Sequence, residues 1–217
     1  MKLRRNMFGL GLILLLFVVA TLARASDMSA DFWLGGTTSV SFDGSRLILN
    51  VPIAGAYNPT ADDFSISSTG TLTLTTGAFT NRTPTQIDFS DGTFTLWGTF
   101  KGSSPAATLL SGTLGTSGIS VLPGGQYSYA TAAGALTATT ISSSVANYYW
   151  HFTPPEVVGG FNIGFSTQGT LDLANQFSLR SVGSGDFQVN PVPIAGSLVL
   201  FAPALAGLAV ARKRIWG

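Results

Sequence analysis

Few residues in this sequence could carry out acid–base or nucleophilic chemistry. His151 is the only histidine, Glu156 is the only glutamate, and the chain has no cysteine. A zinc site made of several histidines or thiolates is therefore excluded, and so is a cysteine nucleophile. A serine triad needs one histidine, but no Gly-x-Ser-x-Gly elbow is present to hold the serine. We interpret His151 as a strand residue and predict that the protein is not an enzyme.

The acidic residues do not form a recognisable metal-binding loop. Asp62 and Asp63 are adjacent, and Asp88 lies close to Asp91, but neither grouping has the alternating acidic ligands of a calcium loop. Oxygen ligands from distant loops could still assemble a calcium site, so calcium binding stays open. We predict no cofactor.

One aromatic run could bind a ligand directly. If residues 148–152 form a strand, then Tyr148, Trp150 and Phe152 lie on the same face. An exposed row of this kind can stack on sugar rings, whereas three large aromatics so close together are normally buried in a core. The sequence therefore leaves a sugar-stacking platform and a core strand as alternatives.

The distribution of charge argues against a nucleic-acid partner. Most basic residues lie near the two ends of the chain, and the long part between them has a negative balance. An acidic surface repels phosphates, so no nucleic-acid binding is predicted.

Alternation of polar and apolar residues predicts the fold. Residues 39–42 and 46–51 alternate around Asp43-Gly44, which is typical of a β-hairpin. Threonines alternate with leucines in residues 71–75, and residues 86–89 and 93–97 repeat the pattern around a Ser-Asp-Gly turn. Similar runs occur at residues 108–114, 126–130, 136–141, 148–152, 161–166, 170–173, 177–182 and 187–189. About ten short strands, without a convincing amphipathic helix, predict one all-β domain over residues 26–191, an antiparallel β-sandwich or jelly roll.

The first 25 residues have the layout of a secretory signal peptide. A basic stretch at residues 1–5 precedes an apolar run at residues 7–22, and Ala23 and Ala25 are small residues at the positions that signal peptidase needs. We predict a signal helix that is cleaved after Ala25. An uncleaved anchor is the alternative, but the apolar run is near the lower limit for a membrane span.

A second uncharged segment lies at the other end of the chain. Residues 194–211 contain no charged side chain and are followed by a basic tip, Arg212, Lys213 and Arg214. A helix of this length reaches about 27 Å, which is enough to cross the hydrocarbon core of a membrane. Because basic flanks stay in the cytoplasm, the chain between the two basic ends is predicted to be exported. The alternative is a buried core helix, which would normally carry a polar stripe.

This C-terminal segment resembles a known sorting signal. The motif Val192, Pro193, Ile194 and Ala195 leads into the apolar segment, which contains Leu-Phe and Ala-Leu-Ala-Gly-Leu and ends in the basic tip. Over residues 192–217 the order is similar to the PEP-CTERM sorting signal of Gram-negative bacteria, in its Val-Pro-x-Pro-Ala form. Ile194 replaces the usual glutamate or leucine, and Ala195 stands where a second proline is expected.

The resemblance implies how the protein is processed and where it goes. Its partners would be signal peptidase, the export machinery and an exosortase, which is a membrane-embedded cysteine transpeptidase. The protein would be anchored transiently in the inner membrane and then reach the cell surface or the extracellular biofilm matrix. The implied role there is structural or adhesive and not catalytic. The alternative is a secreted module that binds carbohydrate, in particular exopolysaccharide.

Overall fold

The described part of the protein is almost entirely β-structure. The computed structural model describes residues 29–58, 63–66, 68–101, 105–131, 135–150, 153–167 and 171–192. One short helix, α1 (Ser143–Tyr149), interrupts the strands. The strands are β1 (Ala30–Phe42), β2 (Leu47–Asn58), β3 (Asp63–Ile66), β4 (Ser68–Thr76), β5 (Phe79–Thr83), β6 (Gln86–Phe89), β7 (Gly92–Phe100), β8 (Ala107–Leu114), β9 (Ser117–Leu122), β10 (Gln126–Thr131), β11 (Leu136–Ile141), β12 (Val157–Ser166) and β13 (Phe177–Pro191).

The strands pair into one antiparallel sheet. Its order is β11-β8-β7-β4-β2-β1-β13-β12-β10-β9-β6-β5, and β3 pairs with β2 beside this path. Strand β11 pairs with β8 on one side and with β12 on the other, so the first eight strands of this order close into a ring. The all-β, antiparallel class predicted from the sequence is confirmed.

Alternation places the apolar side chains on the inner side of the sheet. Leu72 and Leu74 of β4 are fully buried, as is Leu96 of β7, and threonines occupy the positions between them. Burial of a large apolar side chain stabilises the fold by about 1.5–3 kcal/mol. The Thr-Leu pattern of residues 71–75 therefore forms the strand that it predicts.

Aromatic rings join strands that are not neighbours in the sheet. The ring centroid of Phe187 on β13 lies 5.4 Å from that of Phe94 on β7. Phe42 of β1 meets Phe89 of β6 edge-on, with 6.2 Å between the ring centroids. Distant parts of the sheet thus pack on a shared aromatic core.

The hairpin predicted at residues 39–51 is confirmed. Strands β1 and β2 pair outward from Phe42 and Leu47. In the turn, the Asp43 carboxylate accepts the backbone N–H groups of Ser45 and Arg46, both at 2.7 Å. The aspartate thus satisfies donors that the turn leaves without a strand partner.

The strand predicted at residues 148–152 is wrong. Tyr148 and Tyr149 lie in helix α1, and Trp150 follows as its C-cap. The helix forms because the Ser142 side chain caps it and because Val145 and Tyr149, four residues apart, are buried on one face. His151 and Phe152 lie outside the described residues.

The strand predicted at residues 170–173 is also wrong for its described part, residues 171–173. The Asp172 carboxylate accepts the backbone N–H of Ala174 at 2.8 Å and the side-chain amide of Asn175 at 2.6 Å. An aspartate that binds the backbone two residues further on stabilises a turn instead of a strand. Residue 170 lies outside the described ranges.

Several predicted strands exist but are connected differently. Residues 86–89 form β6 and residues 93–97 belong to β7, yet β6 pairs with β5 and β9, while β7 pairs with β4 and β8. The link between β6 and β7 does not form a hairpin turn. It forms a hydrogen bond with the segment that follows β4, since the Gly77 N–H donates to the Asp91 carbonyl at 3.0 Å. The strands predicted at residues 177–182 and 187–189 are one strand, β13. Strands β3, β5 and β9 are additional to those predicted.

The segments predicted at the two ends lie outside the described residues. They are the signal helix at residues 1–25 and the membrane helix at residues 194–211. Within the described ranges, no helix has the length and apolar character needed to span a membrane.

Substitution of Gly70 on β4 tests how closely β4 and β7 must pack. A Cβ atom at this position would collide with the carbonyl oxygen of Trp97 on β7 and lie 2.6 Å from the Cα atom of Gly98. We expect Gly70→Ala to lower the free energy of unfolding by about 3 kcal/mol, because β4 and β7 must move apart. Thermal unfolding of the purified full chain measures the change.

Gly164→Ala is the matched control for this substitution. A Cβ atom at Gly164 would have its nearest contact at 3.8 Å, which is an ordinary van der Waals distance. Its free energy of unfolding should change by no more than about 0.5 kcal/mol. Equal losses in the two variants would contradict the steric explanation.

Candidate functional site

Rows of hydroxyl side chains cover one outer part of the sheet. Thr75, Thr93, Thr113 and Thr137 lie directly opposite one another on successive strands β4, β7, β8 and β11. Neighbouring strands are about 4.8 Å apart, so the hydroxyl groups form a regular ladder. A second ladder runs beside it through Thr73, Thr95, Ser111 and Thr140. We call the surface formed by these two ladders the hydroxyl face.

Trp97 places a large aromatic ring beside the hydroxyl face. It occupies the outward register of β7, opposite Thr71 on β4 and Thr108 on β8, and half of its surface is exposed (50%). The β7–β8 pairing shifts register between Leu96 and Trp97. Such bulges often redirect a side chain next to a binding surface. The ring is therefore available to solvent beside a row of hydroxyl groups.

A recess of about 280 Å³ opens on the outer side of the sheet, next to the hydroxyl face. Its lining comes from four adjacent strands, β13, β1, β2 and β4, and consists of Thr37, Ser39, Asn50, Pro52, Thr71 and Arg180. Thr71 lies directly opposite Trp97, so the recess and the exposed ring are continuous. We call the recess together with Trp97 the outer groove.

The recess forms where the ladder between β1 and β2 is interrupted. Leu34 pairs with Ile53 and Ser39 with Asn50, so four residues of β1 lie opposite two of β2. One of those two is Pro52, which has no N–H to donate to the neighbouring strand. Gly36 lies in the extra segment with a φ of 125°, a conformation that favours glycine. The extra residues of β1 and the proline of β2 together prevent continuous pairing of these two strands, which leaves the recess between them.

Side-chain hydrogen bonds hold the polar lining in place. The Asn50 Nδ2 group donates to the Ser39 hydroxyl at 3.3 Å, and the Thr73 hydroxyl donates to Asn50 Oδ1 at 2.8 Å. These two contacts orient the Asn50 amide and leave one N–H of its NH₂ group for a ligand. The lining is thus ordered before any ligand arrives.

Arg180 is the only charged residue of the lining. It lies opposite Ser39 on β13, its side chain is exposed, and none of the other lining residues is acidic. Within the ranges that the structure describes, Arg180 forms no ion pair. The outer groove therefore presents an uncompensated guanidinium group at one end and an aromatic ring at the other.

The sugar-stacking row predicted at Tyr148, Trp150 and Phe152 does not form on a strand. Trp150 is buried (2% exposed), and Tyr148 packs on Phe100 with 5.4 Å between the ring centroids. The Tyr149 hydroxyl donates to the backbone carbonyl of Tyr57 at 2.9 Å. The described part of the run therefore packs in the core, as the core alternative predicts, but it does so in a helix and its C-cap and not in a strand. Phe152 lies outside the described residues.

Most other predicted site residues also lie outside the described ranges. Val192 is described, and its N–H donates to the Glu156 carbonyl at 3.3 Å. The predicted site residues that lie outside the described ranges are Ala23, Ala25, Pro193, Ile194, Ala195, Arg212, Lys213 and Arg214. Their roles in cleavage, sorting and anchoring stay predictions.

Sequence reasoning missed the outer groove, although part of its signal was present. Phe94 and Leu96 alternate with Thr93, Thr95 and Trp97, which places the tryptophan on the hydroxyl side of its strand. Asn50 and Arg180 carry no such signal, because their proximity depends on the pairing of β2 with β1 and of β1 with β13.

A second exposed tryptophan lies in a different electrostatic environment. Trp33 of β1 is as exposed as Trp97 (50%), but its cross-strand neighbour is Asp186, and Asp31 lies two residues before it. One Asp31 carboxylate oxygen, Oδ1, is buried and has no hydrogen-bond partner in the described part of the chain. Among the described residues, no group of three or more His, Cys, Asp or Glu side chains is arranged to hold a metal ion.

Comparison with known proteins adds no functional assignment. No protein-family model, curated protein or solved structure matches the chain.

Asp31 gives the stability of the protein a predictable pH dependence. Burial, and secondarily the charge of Asp186, raises the pKa of Asp31 from 3.8 to about 6. The folded protein therefore holds this proton more tightly than the unfolded chain does, and stability falls as the pH rises from about 4 to about 6. We expect Asp31→Asn to remove this loss and to raise the free energy of unfolding by about 1 kcal/mol at pH 7.5, since water screens part of the interaction.

Unfolding of the full chain at pH 4 and pH 7.5 measures the effect, and Asp43→Asn provides a control of opposite sign. Hydrogen bonds from the backbone of Arg46 and Ser45 lower the pKa of Asp43. Its ionised form is favoured by folding, so Asp43→Asn should lose stability at pH 7.5. If the free energy of unfolding of Asp31→Asn equalled that of the wild type at both pH values, burial of Asp31 would not explain the pH dependence of stability.

Proposed function

We propose that the chain is an exported, surface- or matrix-associated protein with a structural or adhesive role and no catalytic activity. In this proposal residues 1–25 direct export, and the PEP-CTERM-like segment at residues 192–217 directs exosortase processing. The observation that carries the proposal is the combination of these two terminal segments with a β-domain whose outer surface is rich in hydroxyl groups. Hydroxyl side chains form hydrogen bonds with hydrated polymers without adding charge.

The position of Val192 supports processing at this point of the chain. Strand β13 ends at Pro191, which pairs with Val157, and the predicted sorting motif begins at the next residue. A proline at position 193 disfavours continuation of regular structure and leaves the backbone open to a protease. Cleavage beyond Val192 would leave every strand pair of β13 intact.

The finer fold class, a β-sandwich or jelly roll, is part of the same proposal. It is supported by the packing of Phe42 on Phe89 and of Phe94 on Phe187, where strands from different parts of the sheet face each other. Two layers joined through interdigitated inner side chains are typical of sandwiches, and in this proposal opposite halves of the closed ring form the two layers.

Carbohydrate binding is the second candidate function, and a specific observation favours it. Trp97 exposes half of its surface beside Thr71, which lines the same recess as the ordered amide of Asn50. An aromatic ring flanked by fixed hydrogen-bonding groups is suited to a sugar, which has apolar faces and polar edges. This candidate is compatible with a location in the matrix.

The proposal is tested by the intact mass of the protein from membrane and extracellular fractions of the host. We expect the extracellular chain to begin near Ser26 and to end near Val192 or Pro193. Replacing Arg212, Lys213 and Arg214 with glutamine should prevent processing, because the basic tip holds the C-terminal end in the cytoplasm. A wild-type chain that stays in the membrane and retains Trp216 and Gly217 would overturn the exosortase assignment.

A matched control removes the same amount of charge elsewhere. Replacing Arg46, Lys101 and Arg180 with glutamine also eliminates three positive charges, but all three lie far from the tip in the sequence. Processing of this variant should equal that of the wild type. If both variants failed to be processed, the effect would not belong to the tip.

A further inference from the structure

The outer groove combines three features that together specify a ligand class. We propose that it binds an acidic polysaccharide, with Trp97 stacking on a sugar ring and Arg180 pairing with a carboxylate of the polymer. The inference rests on the carbohydrate-binding function proposed above and adds the site and the charge of the ligand. It does not depend on how the chain is exported.

Trp97 supplies the apolar contact. Its ring is half exposed on a surface that is otherwise polar, and it lies on a strand whose backbone is paired on both sides. The paired strand holds the ring in position, so little conformational entropy is lost when a ligand binds. A rigid, exposed aromatic ring gains most from a flat ligand with C–H groups on its face, as a pyranose has.

The residues between the ring and the arginine supply hydrogen bonds. Along the groove, Thr71 lies opposite Pro52, and the next residues in the outward register are Asn50 and Ser39. The amide of Asn50 is oriented by Ser39 and Thr73, and its remaining N–H points to no described acceptor. Pre-oriented amides and hydroxyls match the vicinal hydroxyl groups of a sugar better than they match an apolar ligand.

Arg180 decides the charge of the ligand. Its guanidinium group has no ion-pair partner in the described ranges, and the recess contains no carboxylate. A guanidinium group binds a carboxylate through two parallel hydrogen bonds, which a neutral hydroxyl cannot reproduce. The domain as a whole has a negative charge balance, but the recess itself contains Arg180 and no carboxylate, so its local charge favours a uronate-containing polymer over a neutral one.

The length of the groove fits a polymer better than a single sugar. Arg180 on β13 and Trp97 on β7 are separated by strands β1, β2 and β4. At about 4.8 Å per strand, the two side chains start about 19 Å apart across the sheet. A ligand that contacts both must span several sugar rings.

Trp33 provides a control on the same molecule. It has the same exposure as Trp97, but it lies beside Asp186 and close to Asp31, which repel a polyanion. If exposed tryptophan alone determined binding, both rings would contribute. If the groove is the site, only Trp97 contributes.

The test is isothermal titration of the purified full chain with oligogalacturonate and, as a neutral probe, cellohexaose. We expect the wild type to bind oligogalacturonate more tightly, and added salt to weaken this binding. Trp97→Ala should weaken the binding of oligogalacturonate at least about tenfold, whereas Trp97→Tyr should retain most of it. Arg180→Gln should weaken it about tenfold and leave the binding of cellohexaose unchanged.

The outcomes separate this inference from the function on which it rests. Equal binding of both probes, with loss in Trp97→Ala and no effect of Arg180→Gln, would keep carbohydrate binding and overturn the acidic ligand. Equal losses of oligogalacturonate binding in Trp33→Ala and Trp97→Ala would overturn the assignment of the binding site to the outer groove. If neither probe bound the folded wild type, as judged by circular dichroism, both this inference and the carbohydrate-binding function would be wrong.

Discussion

The architecture depends on the closure of the sheet through β11. Leu136 pairs with Leu114 of β8 on one side and with Gly159 of β12 on the other, so neither of these strands has a free edge at this point. The closure is tight on the β8 side, since a Cβ atom at Gly112 of β8 would collide with the Thr137 carbonyl of β11. Closure curves the sheet around its apolar side and so creates the core.

Once the sheet has closed, alternation along each strand determines the chemistry of both surfaces. Positions occupied by leucine and phenylalanine face the core, and the intervening positions become a continuous outer surface. Because β-branched threonine suits an extended strand and tolerates water, successive strands can carry it without loss of stability. The outer groove is a local departure from this regularity, since Pro52 and the extra residues of β1 interrupt the ladder.

The sequence predicted features that depend on near neighbours and missed features that depend on register. Alternation in β4 and the Asp43 turn are local, and both are confirmed. Helix α1 was missed because the aromatic run at residues 148–152, which overlaps its end, alternates in a strand-like pattern, while the Ser142 cap and the burial of Val145 and Tyr149 favour a helix. The recess was beyond prediction from patterns, since Thr37 and Arg180 are distant in the chain and meet only through the pairing of β1 with β13.

The pairing of β1 with β13 has a mechanical consequence. Ala30 lies opposite Val189, so the two ends of the described sheet leave it side by side. Tension between these two ends would peel β1 from β13 one hydrogen bond at a time. Tension between the C-terminal end and Arg180 would instead be carried by the covalent backbone of β13 itself, because both points lie on this strand, and it would not open the ladder to β1. The domain resists a pull on its outer groove better than a pull on its own ends.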